Sequence, residues 1–258
     1  MALHRFSRTE LLIGAAGLER LRSSHVVVCG IGGVGSYAAE ALGRAGVGTI
    51  TLVDFDDICL TNCNRQIHAT SSSVGRSKVA VMAERLRDIN PQATVLECHK
   101  FFSQASAENI LSCKPDYVLD AIDHFTAKAA LIIYCREAGI PVISSMGAAN
   151  KLDPAQIKVA DIADTSKCRM ARSMRKILRQ AGIVSGVPVV YSTEEHRPLD
   201  PASSSACGSE CICPNRGSQQ FSCEHRRVIL GSISYLPSLF GLTMAGVVIN
   251  NLLEFQHR

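Results

Sequence analysis

Short runs of β-branched and apolar residues alternate with segments whose apolar positions recur every three or four residues, from residue 25 to about residue 160. His25 to Cys29 is an apolar run ending in a glycine cluster, the pattern of a strand buried on both faces. Ser36 to Ala45 is alanine-rich with helical spacing, and Thr49 to Val53 is a second β-branched run ending at Asp54. Strand, glycine turn, helix and strand make a βαβ unit of about 30 residues. The alternation then repeats. Val74 to Ile89 predicts a helix, stopped by Asn90-Pro91. Thr94 to Cys98 and Tyr117 to Ile122 predict strands, Phe125 to Glu137 a helix, and Pro141 to Ser145 a strand.

Both ends depart from this rhythm. Leu11, Leu12, Ala15, Leu18 and Leu21 place an apolar stripe on an N-terminal helical arm, residues 1–24. Ile157 to Asp161 and Val187 to Ser192 predict further strands, with a basic helix over 165–180 between them. Residues 198–225 lack apolar periodicity and are rich in Ser, Gly, Pro and Cys, which predicts a long loop. The apolar stretch from Ile229 to Phe255 is broken by Pro237, glycines and asparagines, so it predicts a buried helix over 236–253 and no membrane span. The predicted fold class is α/β: a Rossmann-like doubly wound sheet, mainly parallel, over residues 25–160. A C-terminal α/β portion, 161–258, completes one domain.

Composition narrows the class. Apolar residues make up 47% of the chain, enough to build a sizeable core without covalent staples. A net charge of +4 permits an anionic partner without demanding one. The eleven cysteines are an odd number, and several, such as Cys29 and Cys135, sit in apolar runs. With no apolar signal core at the N-terminus, they predict free thiols in a reducing cytoplasm.

The candidate chemistry begins at Gly30-Ile31-Gly32-Gly33-Val34-Gly35, between the first strand and its helix. Glycines there let backbone N–H groups approach a phosphate at a helix N-terminus. Asp54, ending the next strand, sits where a carboxylate accepts both ribose hydroxyls. NAD and ATP both fit this motif. The residues downstream discriminate: Asn62, Asn64, Arg65 and Gln66 follow the second strand, Lys78 lies in the next predicted helix, and Asp120 and Asp123 follow a later strand. Singly, Arg65 and Lys78 read as solvated charges, and the two aspartates as strand-end caps. Together they supply cations for phosphates and a carboxylate for a metal, the equipment of a triphosphate site.

These motifs, with Asp54-Phe55-Asp56, Asn62-Cys63-Asn64-Arg65-Gln66, Val74-Gly75-Arg76-Ser77-Lys78 and Asp120-Ala121-Ile122-Asp123, resemble the ubiquitin-activating-type adenylyltransferase superfamily over roughly residues 5–160. Asn64-Arg65-Gln66-Ile67-His68, Tyr191-Ser192-Thr193-Glu194 and the segment from Leu230 to Gly246 are similar to its tRNA threonylcarbamoyladenosine dehydratase group. The resemblance implies an ATP- and magnesium-dependent enzyme that adenylates the threonyl carboxylate of the modified adenosine at tRNA position 37. It implies that Gly30, Gly32, Gly33 and Gly35 line the phosphates, that Asp54 holds the ribose, and that Asp56, Asn62, Gln66 and Asp120 complete the nucleotide contacts. Arg65 and Lys78 would stabilise phosphate charge and Asp123 would hold magnesium. Arg8, or alternatively Arg5, would reach into a partner subunit of a homodimer. The other activity within the superfamily is adenylation of a ubiquitin-like sulfur carrier, with a sulfur-carrier or sulfur-donor protein as partner.

Two features bear on the substrate. Arg169, Arg172, Arg175, Lys176 and Arg179 crowd one side of the basic helix without interleaved acids, a candidate surface for tRNA phosphates. Cys207, Cys211, Cys213 and Cys223, near His225, depart from the dehydratase pattern. They read as a zinc or iron–sulfur site, as free thiols on a loop, or as a source of a transfer cysteine, and their spacing decides none of these.

Overall fold

The structure is a computed structural model, and it describes residues 3–199 and 230–254. Seven strands form one sheet: β1 (His25–Cys29), β2 (Thr49–Val53), β3 (Thr94–Cys98), β4 (Tyr117–Asp120), β5 (Val142–Ser145), β6 (Ile157–Asp161) and β7 (Pro188–Ser192). Their order is β3-β2-β1-β4-β5-β7-β6. All neighbours pair in parallel except β6, which runs antiparallel to β7 at the edge. Strand succession reverses between β1 and β4, and open α/β sheets form their ligand crevice at that switch, beyond the strand C-termini.

The helices are α1 (Ser7–Ser23), α2 (Gly35–Ala45), α3 (Lys78–Ile89), α4 (Gln104–Leu111), α5 (Phe125–Glu137), α6 (Arg169–Gln180) and α7 (Tyr235–Leu252). The apolar run of β1 serves both faces of the sheet. Val26 and Val28 pack into one core with α2, α3 and α7, whereas Val27 and Cys29 pack into a second with α4 and α5. A third cluster joins α5, α6 and β7. β7 inserts between β5 and β6, and Leu236, Phe240, Met244 and Val248 of α7 are buried in the α2 core. The chain after residue 161 therefore shares sheet and core with the part before it. By length and composition α7 could cross a membrane; here that apolar face is buried against α2 and the sheet.

Two predicted helix starts move, and a third helix is interrupted. The helix expected from Val74 starts at Lys78, because residues 75–78 pair with 56–58 instead: Gly75 N–H donates to the Ile58 carbonyl at 2.8 Å and Ile58 N–H to the Arg76 carbonyl at 2.9 Å. The basic helix expected from residue 165 starts at Arg169, since Lys167 takes a left-handed φ of 58°. In α1 the helix is interrupted at Gly14 (φ 73°, ψ 169°); Leu18 and Leu21 beyond it are buried, while Leu11 and Leu12 before it are 89% and 84% exposed.

Candidate active site

Register assembles the site. Cys29 lies opposite Val53 in β2 and opposite Asp120 in β4, so Gly30, Asp54 and Ala121 leave the sheet side by side. The glycine turn is closed tightly. A Cβ on Gly30, whose φ is +88°, would lie 2.7 Å from the Ala121 carbonyl oxygen, and one on Gly35 would lie 1.8 Å from that of Gly30. Only glycine fits at either position. On the turn's far side Gly33 meets Pro237, and Gly241 approaches the Val34 carbonyl so closely that its Cβ would lie 2.2 Å away. The start of α7 thus braces the phosphate-type turn, a contact absent from the motif's own residues.

Asp54 accepts hydrogen bonds from the N–H groups of Ile31 at 2.6 Å and Asp56 at 2.8 Å. Its carboxylate thereby ties the glycine turn to β2, and its remaining lone pairs are available to a ribose. Burial raises the Asp54 pKa above its ordinary value, with Lys78 working against that rise. Lys78 is delivered by the 56–58/75–78 pairing. Its Nζ donates to Asp56 Oδ2 at 2.6 Å and stands 4.0 Å from Asp54 Oδ1. Burial would lower the Lys78 pKa; Asp54 and Asp56, with help from Asp123, outweigh it and raise it. The ammonium therefore stays charged at neutral pH.

Arg65 is half-buried at the glycine turn, its Cγ 3.3 Å from a Cβ built on Gly33, and its guanidinium donates to the Thr61 carbonyl and to Asn64 Oδ1. Asn62 is buried and accepts the Cys59 N–H. Gln66 lies over the turn, with Nε2 3.9 Å from a Cβ built on Gly32; its buried Oε1 has no hydrogen-bond partner among the described residues. Asp123 is exposed at the exit of β4, within electrostatic reach of Lys78. Among the described residues no group of three or more His, Cys, Asp or Glu is arranged to hold a metal. Magnesium usually arrives with phosphates and takes one or two protein carboxylates; the exposed Asp123, beside Lys78, is a carboxylate that could supply one.

Asp120 does not belong with the ligand contacts. It is 0% exposed, and its carboxylate is taken up by Lys128, Ser144 and the Ile122 N–H. Arg175 also leaves its expected set in part: its guanidinium donates to the Ile162 and Thr165 carbonyls and to Thr165 Oγ1, tying α6 to the preceding loop. Arg169, Arg172, Lys176 and Arg179 are exposed. Arg172, Lys176 and Arg179, with Arg175 and Gln180, line a surface depression of about 440 Å³. α6 begins beside the loop after β5, where Met170 Cβ is 3.7 Å from a Cβ built on Gly147. Arg8 is exposed, whereas Arg5 donates to the Ile89 carbonyl of its own chain. Cys207, Cys211, Cys213, Cys223 and His225 lie outside the described residues.

Sequence reasoning missed two groups here. Lys128 is fully buried beneath the site, and its signal was a single charge in the apolar run of α5. His68 is 3% exposed with neither ring nitrogen hydrogen-bonded among the described residues; burial, then Lys78 and Arg85, push its pKa down to about 3. Its neighbours in the motif marked it, but only packing reveals that it is neutral. Burial also raises the thiol of Cys29 well above its usual value and that of Cys135 to about 12, so neither is a ready nucleophile.

A model of the ThiF family matches residues 6–258. The tRNA threonylcarbamoyladenosine dehydratase of Bacillus subtilis (strain 168) is 43% identical over 252 residues, 98% of this chain and 96% of that protein. The crystal structure of E. coli tRNA N6-threonylcarbamoyladenosine dehydratase in complex with ATP superposes with a TM-score of 0.83 at 36% identity, covering 97% of this chain and 94% of that one. The E. coli molybdopterin-synthase adenylyltransferase is similar over less of the chain: 33% identical over 166 residues, 64% of this chain and 65% of that protein.

Proposed function

The chain belongs to the ThiF family, and from that membership we propose that it is an ATP-dependent tRNA threonylcarbamoyladenosine dehydratase. The observation that carries this reading is the convergence of the glycine turn, Asp54, Arg65, Lys78 and Asp123 at the β1/β4 switch. The likeness to the Bacillus subtilis dehydratase along nearly the whole of both chains supports the substrate.

The glycine turn and the start of α2 offer N–H groups to the phosphates, and Asp54 offers its remaining lone pairs to the ribose. Lys78 and Arg65 neutralise charge on the phosphoryl oxygens while the substrate carboxylate attacks the α-phosphorus and pyrophosphate leaves. Magnesium bound with the triphosphate would neutralise the leaving pyrophosphate, with Asp123 as its carboxylate. The acyl carbon of the resulting adenylate is then attacked by the carbamoyl group of the same substrate, expelling AMP and closing the ring. That closure is intramolecular, so it needs no enzyme thiol. The exposed cations of α6, Arg169, Arg172, Lys176 and Arg179, are proposed to contact tRNA phosphates. Leu11 and Leu12 are proposed to be covered by a second copy of the chain, with Arg8 directed to the partner's site. We propose that the activity is cytoplasmic, where ATP and tRNA are both at hand.

The test is turnover of ATP to AMP and pyrophosphate, with and without threonylcarbamoyl-modified tRNA, followed by nucleoside analysis. Stimulation by the tRNA together with conversion of the nucleoside to its cyclic form is the expected result. ATP binding with no response to tRNA, but with adenylation of a sulfur carrier, would replace this reading by the alternative.

A further inference from the structure

Lys128 is among the largest fully buried side chains of the described residues, and nothing in the chemistry above uses it. It sits on the apolar side of α5 among Ala127, Ala129, Leu131 and Ile132. Withdrawing an ammonium from water costs several kcal/mol, and a methionine or leucine would fill the same space without that cost. The hydrogen bonds account for it. An ammonium has three N–H groups, and here they meet Asp120 Oδ2 at 2.7 Å, the Ser145 carbonyl at 2.9 Å and Ser144 Oγ at 3.2 Å. Ser144, opposite Asp120 in the β4/β5 register, donates to the same Oδ2 at 2.6 Å.

The other carboxylate oxygen holds the strand exit. Asp120 Oδ1 accepts the N–H of Ile122 at 3.1 Å and so bends the chain directly after β4. That bend sets two things. It turns Ala121 against the glycine turn, where the Ala121 carbonyl stands 2.7 Å from a Cβ built on Gly30 and the Ala121 Cβ 3.3 Å from one built on Gly35. It also directs the chain so that Asp123 emerges into solvent near Lys78.

We propose that the buried Asp120–Lys128 pair is a positioning device for adenylation: it shapes the 121–123 turn and aims Asp123 at the metal-bearing phosphates. Neither residue touches substrate. The inference rests on the reading of Asp123 as the magnesium carboxylate. The pair acts as the outer partners of metal ligands do, where loss of such a group costs about 10- to 100-fold in metal affinity or activity.

Removing one member strands the other as an unpaired buried charge and is expected to destabilise the fold, whereas removing both is tolerated far better. The informative variants are therefore the double variant Asp120→Leu with Lys128→Met and the double variant Asp120→Asn with Lys128→Met. The last retains an acceptor for the Ile122 N–H without a charge. Thermal melting reports folding. Binding of a non-hydrolysable ATP analogue is measured by titration calorimetry with and without magnesium, and turnover is measured with modified tRNA. The Leu/Met variant is expected to fold, to keep its magnesium-free affinity, and to lose about tenfold or more of the affinity that magnesium adds, with a matching fall in kcat. The Asn/Met variant is expected to recover most of that loss. A folded Leu/Met variant with wild-type magnesium dependence and wild-type kcat would overturn the proposal. So would equal loss with and without magnesium, or failure of Asn/Met to recover. A wild-type chain that binds no ATP analogue would instead sink the adenylating reading, and this inference with it.

Discussion

Two residues at the site make opposite demands on their surroundings. Asp123 is exposed at a strand exit, and the proposed function gives its carboxylate the magnesium. Asp123→Ala is expected to abolish tRNA-dependent ATP turnover while shifting stability by no more than about 0.5 kcal/mol. Near-normal turnover by that variant would remove Asp123 from the metal's ligands. His68 is buried, and its burial carries a cost in acid. The unfolded chain takes up a proton at about pH 6.5, whereas folded His68 resists until its depressed pKa of about 3. Falling pH therefore favours the unfolded state across that window, by about 1.4 kcal/mol per pH unit from this residue. Urea unfolding at about pH 7 and about pH 5 should show an acid-dependent loss smaller by about 2 kcal/mol in His68→Asn than in the wild type. Equal losses would mean that His68 titrates normally in the folded chain.

At the scale of elements, α6 presents exposed cations along one side and apolar residues, Ala171, Met174 and Leu178, to the core. Arg172, Lys176 and Arg179 are thus removable without disturbing packing, while Arg175 is not, since it ties α6 to the preceding loop. Replacing those three by glutamate is expected to raise the KM for tRNA by tenfold or more, leaving ATP affinity and melting temperature close to wild type. The salt slope of tRNA binding should also become shallower, by about 0.7–0.9 for every phosphate that no longer meets a cation. An unchanged KM and salt slope would make α6 a solvated face. The same scale explains why α3 begins late. The backbone pairing of 56–58 with 75–78 competes with the first helical turn, and it wins because it seats Lys78 against Asp56.

For the whole molecule, the sheet order brings residues from 30 to 123 to one crevice, and the C-terminal α7 braces that crevice from behind. The molecule also leaves part of its N-terminal stripe uncovered. Leu11 and Leu12 stand outside the core, beyond the break at Gly14. If a second copy covers them, Leu11→Glu together with Leu12→Glu should convert a dimer to a monomer in sedimentation. It should also reduce turnover, because Arg8 would then no longer reach a partner's site. A variant that stays dimeric with full activity would place the interface elsewhere.

Periodicity alone determined the strands β1, β2 and β3, helix α5, and the alternation that makes a doubly wound sheet, because burying a strand or one helix face imposes a local repeat. The glycine turn was legible for the same reason: the backbone approach it needs excludes side chains at fixed spacing. Helix α4 was not foreseen; its eight residues are too few to show a repeat clearly. What a carboxylate or cation does once folded was also beyond local pattern. Asp120 and Asp123 lie three residues apart on one strand exit, yet one is sealed by Lys128 and Ser144 and the other faces solvent. Arg175 differs from Arg172 only in where its guanidinium ends. Those outcomes depend on desolvation and on hydrogen-bond partners supplied by distant segments, so tertiary structure alone decided them.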